Sequence, residues 1–355
     1  MEDNCLAHSA KLISVATAVP DNILVQTEVA EAAERIFAGR FDNYGRMSRV
    51  FASAGIRKRH AIQPIEWFLE PRGWSERTKA YLEGAQRLFV EAATTALVSA
   101  GLQAGDIDTI VTVSSTGIAT PSLEARAASA MGFRADARRV PVFGLGCAGG
   151  VSGFSIAARL AKADLGSNVL LVAVETCTMS FQLDDVSKGN IVATALFGDG
   201  AAACVLRCGP EGIAEVEASG EHLWPDTLDI MGWDVGAHGL GVIFDRAIPP
   251  FAEANMGAAV AGILERGGLA IGDIDRFVCH PGGTKVIAAL ETSLALDQGS
   301  LDIERAVLAD FGNMSAPTVL FVLKRAMAAG LPRRSALAAM GPGFTASVAV
   351  LKRTA

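Results

Sequence analysis

The sequence contains no apolar run of the roughly 18 residues that a membrane-spanning helix requires. Residues 1–4 lack the basic and apolar regions of a secretory signal peptide. The cysteines show no paired spacing that indicates a disulfide framework or a zinc site, and they are Cys5, Cys147, Cys177, Cys204, Cys208 and Cys279. We therefore predict a cytoplasmic protein with reduced cysteines, no metal and no integral membrane association.

Positive charge is also in the minority, with 31 Lys and Arg residues against 38 Asp and Glu residues and a formal net charge of −7. This balance argues against a general nucleic-acid surface. One local basic cluster, at 57–59, is suited to a small anionic ligand. No stretch rich in Ser or Pro marks a linker, so the 355 residues are expected to form about two lobes around one continuous core.

An internal duplication organises the chain. The segment 101–111, which follows a predicted helix over 79–100, recurs as the segment 268–278, which follows a predicted helix over 250–266. The two copies share Gly, Leu, Gly, Asp, Ile, Asp and Val in place at an offset of 167 positions (268 minus 101). Two copies of one pattern indicate two pseudo-symmetric halves rather than a solenoid.

The duplication predicts an α/β fold divided near the middle of the chain. Strand-like apolar runs alternate with helices, which favours layers of sheet and helix. These runs are 108–114, 139–143, 168–174, 201–207, 275–279, 335–340 and 344–351. We expect an N-terminal half over 1–210 and a C-terminal half over 211–355.

Cys147 lies where a predicted strand gives way to a predicted helix over 151–163, with glycines on both sides. A thiol at a helix N-terminus faces unpaired N–H groups and the positive end of the helix dipole, which lowers its pKa. The flanking residues are equally compatible with a small buried hydrophobic residue. The flanks alone therefore leave both interpretations open.

Two further residues complete a candidate catalytic group. A shift of 166 positions (313 minus 147) places Cys147 onto Asn313, so pseudo-symmetry predicts that the two lie at a common centre. His280 ends the second repeated strand, whereas the first copy has Val113 there (280 minus 167). A histidine near a turn is often structural, but one that is present in a single copy favours a catalytic role.

Five short motifs, in this order and spacing, resemble the type III polyketide synthases, the chalcone and stilbene synthase family of the thiolase superfamily. They are Gly-Cys-Ala-Gly-Gly at 146–150, Leu-Phe-Gly-Asp-Gly at 196–200, His-Pro-Gly-Gly at 280–283, Gly-Asn-Met-Ser-Ala at 312–316 and Gly-Pro-Gly at 341–343. The resemblance covers nearly the whole chain. It implies a thiolase-like layered αβαβα fold built from two pseudo-symmetric halves, and a homodimer.

The resemblance also implies the chemistry. Cys147 is the expected nucleophile that takes an acyl group from acyl-CoA, and His280 is expected to keep it as a thiolate. His280 and Asn313 are expected to donate hydrogen bonds to the thioester oxygen while malonyl-CoA loses carbon dioxide. Acyl-CoA and malonyl-CoA are the implied substrates, and no metal or organic cofactor is needed.

Residues of the substrate cavity and the CoA site follow from the same resemblance. Phe197 matches an aromatic gate between the CoA tunnel and the cavity, although it is equally a core residue beside a glycine turn. Arg46 and Arg49 match positions that contact CoA phosphates, whereas Ser53 departs from the basic residue expected at a third such position. The wall of the cavity is assigned to Gly341, Pro342 and Gly343.

Several positions bear on the acyl starter. Ser180 replaces a Thr of the plant enzymes, Val242 replaces a Phe, and Thr120 replaces the Met of a loop that enters the partner's cavity. The segment 229–235 resembles bacterial members, several of which make alkylresorcinols or alkylpyrones from fatty acyl starters. The smaller side chains leave more room for an acyl chain, whereas the large side chain of Trp233 fills part of that room. We predict a medium-to-long aliphatic starter, and a core-packing role remains the alternative for each of these residues.

Three other functions are compatible with part of this pattern, and a sequence feature argues against each. A ketoacyl-ACP synthase III shares the Cys-His-Asn order but typically carries His-Gln-Ala-Asn where this chain has His280-Pro281-Gly282-Gly283. A papain-like cysteine hydrolase also has that order, but the missing secretion signal, the missing aromatic residue after the cysteine and the duplication all argue against it. A non-catalytic scaffold is disfavoured because all three reactive side chains are present.

Overall fold

The computed structural model describes residues 9–237 and 239–354. The strands of this part of the chain are β1 (Ala10–Ala18), β2 (Asn22–Val25), β3 (Lys58–Ala61), β4 (Thr109–Val113), β5 (Arg138–Val142), β6 (Asn168–Thr176), β7 (Asp199–Cys208), β8 (Ala214–Leu223), β9 (Met231–Gly236), β10 (Gly239–Phe244), β11 (Arg276–Cys279), β12 (Arg334–Gly341) and β13 (Thr345–Arg353).

The helices of the same part are α1 (Gln26–Phe37), α2 (Tyr44–Met47), α3 (Arg49–Ser53), α4 (Trp74–Ser99), α5 (Leu123–Met131), α6 (Gly149–Ala163), α7 (Lys188–Leu196), α8 (Ile248–Arg266), α9 (Thr284–Ser293), α10 (Asp302–Phe311) and α11 (Thr318–Ala328). Short 3-10 turns lie at Ile65–Leu69, Ala104–Asp106, Gly146–Ala148, Cys177–Ser180 and Ile271–Asp273. None of these helices combines the length and the apolar character of a membrane span.

Nine strands form one sheet in the order β11-β12-β13-β8-β1-β7-β6-β4-β5. In the N-terminal half, β4 runs parallel to β6, and β6, β7 and β1 follow with antiparallel pairings. In the C-terminal half, β11, β12, β13 and β8 repeat that order and those directions. The halves meet where Lys11 pairs with Glu215 and Leu12 with Ala214, and an ion pair of 2.9 Å joins Lys11 to Glu215.

The repeated sequence segments adopt the same local structure. Each forms a 3-10 turn whose aspartate caps its own beginning, through a 2.8 Å bond from Gln103 N to Asp106 Oδ2 in the first copy and from Ala270 N to Asp273 Oδ2 in the second. The turn leads into β4 in one half and into β11 in the other. The duplication that the sequence predicts is therefore structural.

Two central helices, α6 and α11, contact strands of both halves, while α4 packs on the outer face of the N-terminal strands and α8 on that of the C-terminal strands. This is the predicted αβαβα layering. A side chain at Gly150 would place its Cβ 2.1 Å from the carbonyl oxygen of Ala316. Because both glycines at the start of α6 lie against this region, the two central helices begin side by side.

Predicted helices and strands agree with the structure apart from their ends. The helix predicted over 79–100 begins at Trp74, because its first turn is polar and is capped by a bond from Gly73 N to Glu76 Oε2 of 3.1 Å rather than by apolar contacts. The hairpin of β9 and β10 was outside the prediction, since its half-buried strands lack a clear alternation of apolar residues.

Candidate active site

Cys147 lies in the 3-10 turn Gly146–Ala148, directly before α6. Gly146 has a φ of +46°, and a Cβ there would lie 2.7 Å from Cδ of Pro342. A Cβ at Gly341 would lie 2.5 Å from the carbonyl oxygen of Leu145. The Cys147 turn thus packs on the backbone of the Gly-Pro-Gly segment, and these glycines are required because the two chain segments touch.

Asn313 is held by its backbone beside the end of α7. Its N–H donates to the carbonyl oxygen of Leu196 at 2.8 Å, and its carbonyl oxygen accepts from Gly198 at 3.1 Å. Its side-chain Oδ1 accepts from Ser315 N at 2.8 Å, and Nδ2 donates to the carbonyl oxygen of Gly282 at 3.3 Å. The two backbone bonds fix the position of Asn313 and the two side-chain bonds orient its buried amide.

The Asn313 side chain connects the segments that carry the other two candidates. Its Oδ1 lies 3.9 Å from Sγ of Cys147, and its Nδ2 contacts the peptide of Gly282, two residues after His280. His280 is fixed through a 2.8 Å bond from its N–H to the carbonyl oxygen of Ala338 on β12. The structure therefore brings Cys147 and Asn313 together, as the pseudo-symmetry predicts, and places His280 two residues before the peptide that Asn313 contacts.

His280 is buried, and neither ring nitrogen has a hydrogen-bond partner within residues 9–237 and 239–354. Burial lowers the pKa of His280 to about 4. The imidazole is therefore neutral at physiological pH, with one nitrogen free to accept a proton and the other to donate a hydrogen bond.

The expected lowering of the Cys147 pKa is wrong for the protein without substrate. Burial raises the pKa of Cys147 to about 11, with a further increase from the charge of Glu175, and hydrogen bonding with Ser315 and Asn313 offsets only part of this. The helix begins two residues later, at Gly149, and a backbone N–H, that of Cys147 itself, lowers the pKa of the thiol only slightly. Desolvation therefore outweighs the helix dipole here.

Glu175 is a buried residue of the site that the sequence analysis missed. Its carboxylate accepts from Ser115 N at 2.9 Å and from Thr116 Oγ1 at 2.7 Å. Ser115 Oγ in turn accepts from the N–H groups of Gly144 and Gly146, at 3.1 and 3.4 Å. Glu175 thus supports the turn that carries Cys147. A carboxylate directly after the apolar run of β6 was the available sequence signal.

The predicted gate residue, Phe197, lies at the C-terminal end of α7 and is largely buried. Its ring packs edge-to-face on Trp233 at 6.2 Å and on Phe244 at 6.5 Å between centroids. Val242 pairs with Trp233 across the β9–β10 hairpin. The small Val242 and the large Trp233 therefore share one hairpin beside Phe197, and Trp233 fills the space next to it.

An apolar cavity of about 60 Å³ adjoins Phe197 on the side of α1. Its walls come from α1, β3, the first 3-10 turn, the segment after β6, and α7. Ser180 also lines it and donates to the carbonyl oxygen of Cys177 at 2.7 Å. The other lining residues are Leu24, Val29, Ala32, Ala33, Ile36, Arg59, Ile65, Phe68, Leu69, Cys177, Thr178, Phe181, Ala193 and Thr194.

Three predicted residues lie away from this centre. Arg46 and Arg49 are exposed on the short helices α2 and α3, and within the described ranges neither forms an ion pair with an acid. Thr120 is exposed on the loop before α5 and does not line the cavity beside Phe197. A role for Thr120 in a cavity therefore requires a partner subunit.

Comparison with known proteins identifies the family. The profile described as "Chalcone and stilbene synthases, N-terminal domain" matches residues 2–210, and the corresponding C-terminal domain profile matches residues 215–354. The chain belongs to the chalcone and stilbene synthase family. Its predicted membership and thiolase-like fold are thereby confirmed.

Two relatives and one solved structure illustrate how close the match is. A 1,3,6,8-tetrahydroxynaphthalene synthase of Streptomyces peucetius subsp. caesius is 40% identical over 350 residues, which are 96% of this chain and 92% of the relative. A putative chalcone synthase of Bacillus subtilis is 34% identical over 96% of this chain and 97% of its own length. The crystal structure of the Streptomyces coelicolor tetrahydroxynaphthalene synthase, a bacterial type III polyketide synthase, superposes with a TM-score of 0.92 at 32% identity, covering 97% of this chain and 99% of the other.

These findings establish the class of reaction. The protein is a type III polyketide synthase, an acyltransferase that extends an acyl group by decarboxylating condensation with malonyl-CoA. Such enzymes act on CoA thioesters and need no further cofactor. A ketoacyl-ACP synthase III and a papain-like hydrolase are not favoured by these matches.

Proposed function

We propose that the protein loads a medium-to-long aliphatic acyl group from CoA onto Cys147, extends it with malonyl-CoA, and closes the product to an alkylpyrone or alkylresorcinol. The observation that carries the assignment of the catalytic residues is the contact between Cys147 Sγ and Asn313 Oδ1 at 3.9 Å. The buried His280 imidazole, whose nitrogens have no partner in the described ranges, supports it. The observation that supports an aliphatic starter is the apolar cavity next to Phe197.

In the loading step, His280 accepts the proton of Cys147 as the thioester enters. The thiolate then attacks the acyl carbonyl carbon, the bond to the CoA sulfur breaks, and the CoA thiolate takes up the proton from His280. The neutral state of His280 and the protonated state of Cys147 before loading follow from burial. The thiolate is thus formed together with an imidazolium, which stabilises it as an ion pair.

In the extension step, malonyl-CoA loses carbon dioxide and the electrons of the broken carbon–carbon bond form an enolate. His280 and the second N–H of Asn313 Nδ2 donate to the enolate oxygen, in a site where low polarity strengthens both bonds. The enolate carbon attacks the acyl carbonyl on Cys147, and the cysteine leaves as a thiolate. The extended chain is then carried by CoA and can be loaded again.

Other parts of the molecule have proposed roles in substrate binding and assembly. We propose that Arg46 and Arg49 bind CoA phosphates, since both guanidinium groups are exposed. Phe197 divides the CoA entrance from the cavity, and Ser180, Val242, Gly341, Pro342 and Gly343 shape the cavity. A homodimer brings Thr120 to the partner's cavity. The halves 1–210 and 211–355 are the units of the duplication, and the free cysteines fit a reducing compartment such as the cytoplasm.

A second candidate product is supported by the relatives named as tetrahydroxynaphthalene synthases, one of them 40% identical to this chain. The ten carbon atoms of a naphthalene skeleton correspond to five two-carbon units, so malonyl-CoA alone supplies them. In that case a malonyl group is both starter and extender, and no aliphatic chain enters the cavity.

The test is to incubate the purified protein with malonyl-CoA alone and with malonyl-CoA plus acyl-CoAs from acetyl to palmitoyl, and to read the products by mass spectrometry. The proposal expects alkyl-bearing products that shift in mass with the starter. Tetrahydroxynaphthalene from malonyl-CoA alone, with no alkyl product, would establish the second candidate instead. The Cys147→Ala variant is expected to form no product with any starter.

A further inference from the structure

One residue that lines the apolar cavity beside Phe197 carries hydrogen-bond donors without a partner in the described ranges. Four polar side chains line it: Arg59, Thr178, Ser180 and Thr194. The three hydroxyl groups are all engaged: Thr178 donates to Asp199 at 2.6 Å, Ser180 to the carbonyl oxygen of Cys177 at 2.7 Å, and Thr194 to that of Asn190 at 2.7 Å. Arg59 differs from these three.

The guanidinium of Arg59 is buried, with the residue only 1% exposed. Its Nη2 donates to the carbonyl oxygen of Thr194, whereas Nε and Nη1 are buried without a partner in the described ranges. Its aliphatic stem packs against backbone, since a Cβ at Gly198 would lie 3.1 Å from Arg59 Cβ, and one at Gly312 would lie 3.4 Å from it. The side chain is therefore held in place rather than free to reach solvent.

No acid within residues 9–237 and 239–354 forms an ion pair with this group. Asp199 attracts Arg59 electrostatically, but no ion pair within 4.0 Å joins the two among the described residues. The Asp199 carboxylate is occupied by the N–H groups of Ile62 and Thr178 and by the Thr178 hydroxyl. Buried charges are normally paired and hydrogen-bonded, so two unpartnered nitrogens on a buried guanidinium, which carry three N–H groups, indicate a missing acceptor.

The cavity is connected to the candidate catalytic residues through Phe197. Phe197, which lines it, forms a parallel bridge with the backbone of Asn313, and Asn313 contacts Cys147. We propose that Arg59 binds an oxygen acceptor, a carboxylate or a keto oxygen, that the acyl chain carries into this cavity, so that the enzyme selects oxygen-bearing acyl groups over plain alkyl groups of equal length. This inference rests on the proposed function, because it concerns the acyl group on Cys147.

The experiment is a competition among three CoA esters of equal chain length with purified enzyme and malonyl-CoA. They are octanoyl-CoA, its analogue with a carboxylate at the far end, and its analogue with a keto group near that end. A hydrogen bond to a charged group contributes enough to change kcat/KM about tenfold or more. We expect at least that preference for one oxygen-bearing ester, and the two analogues distinguish a carboxylate from a keto oxygen.

The Arg59→Met variant is expected to lose the preference and Arg59→Lys to retain part of it. Lys58→Met is the matched control, because it removes an exposed cation one position away on β3 and should keep the wild-type ratio. Equal use of the three esters by the wild type, or an unchanged ratio in a folded Arg59→Met variant, would overturn the inference. If Arg59→Met does not fold, the wild-type ratio and Arg59→Lys decide.

Failure of this inference is distinct from failure of the proposed function. If octanoyl-CoA is extended as well as its oxygen-bearing analogues, aliphatic loading stands and only the role of Arg59 is lost. If none of the three esters is extended while malonyl-CoA alone gives product, the aliphatic starter itself is rejected, and the role of Arg59 in selecting it is rejected with it.

Discussion

Cys147 and Asn313 lie 166 positions apart in the sequence, yet Sγ of the first is 3.9 Å from Oδ1 of the second. Each residue precedes one of the two central helices, and the glycines that begin α6 allow those helices to start in contact. The duplicated fold therefore positions two different side chains at one point. In the proposed mechanism one acts as the nucleophile and the other, through its amide, as a hydrogen-bond donor.

Replacement of Asn313 tests the donor role. Asn313→Ala is expected to lower the rate of malonyl-CoA decarboxylation by about 10²–10³, the loss typical of one oxyanion donor. Single-turnover loading of Cys147 should fall less, because the cysteine and His280 remain. Asn255→Ala is the control, since that amide bonds within the outer helix α8. Equal rates of decarboxylation in wild type and Asn313→Ala would contradict the assignment.

The pKa of about 11 at Cys147 predicts its alkylation profile. Since iodoacetamide reacts with the thiolate, the rate at Cys147 should rise about tenfold per pH unit from pH 7 to 9 without a plateau. Mass spectrometry of the Cys147 peptide follows this site apart from the other cysteines. A rate that is already constant near pH 7 would show that the free protein holds a thiolate.

Glu175 predicts a pH-dependent stability. Burial raises its pKa from 4.5 to about 8, with hydrogen bonds offsetting part of the effect. Between these values the folded protein keeps a proton that the unfolded chain has released, so the contribution of Glu175 to the free energy of unfolding falls as the pH rises through this window. The glutamine of the Glu175→Gln variant is neutral at every pH, so its contribution to the free energy of unfolding should not fall as the pH rises.

Urea unfolding at pH 5, 6.5 and 8 measures the difference. The free energy of unfolding of Glu175→Gln relative to the wild type should rise by about 2–4 kcal/mol across that range, since one pKa unit corresponds to about 1.4 kcal/mol. Glu221→Gln, on an exposed position of β8, should follow the wild-type profile. If the free energy of unfolding of Glu175→Gln and that of the wild type changed equally with pH, Glu175 would not be a buried, protonated carboxyl group.

We expect the side chain at position 33 on α1 to limit the length of the acyl starter that the cavity accepts. Ala33 is 1% exposed and lines the cavity beside Phe197. A larger side chain occupies part of the about 60 Å³ available, so Ala33→Leu should lower kcat/KM for octanoyl-CoA and longer esters by about tenfold, a loss equivalent to one or two buried methylene groups. Acetyl-CoA should be used as before. Ala38→Leu, at the exposed end of α1, should change neither.

The parts of the fold that depend on short stretches of sequence were predictable. The repeats at 101–111 and 268–278 marked β4 and β11, and the glycines around Cys147 marked the start of α6, because turns and helix starts require particular residues. The pKa of Cys147 and the support from Glu175 were not predicted. Both depend on burial by segments far apart in the chain, which no local pattern records.

The residues that line the cavity were also predicted only in part. Phe197 and Ser180 were identified through the resemblance, but the alanines of α1 and the unpartnered Arg59 were not connected with them. Arg59 appeared in the sequence only as part of a basic cluster. Successive side chains of β3 point to opposite faces, so Arg59 is buried while its neighbour Lys58 is exposed. The buried face is recognisable only in the folded protein, where Arg59 bonds to Thr194 of α7.

The position of β1 in the sheet has a consequence for synthesis of the protein on the ribosome. β1 is made first, but Ala10 pairs with Cys208 on β7 and Lys11 with Glu215 on β8. At about 5–20 residues per second, the strand waits roughly 10–40 s for its neighbours. During that interval both of its edges are unpaired, so nascent chains should depend on chaperones until the N-terminal sheet is complete.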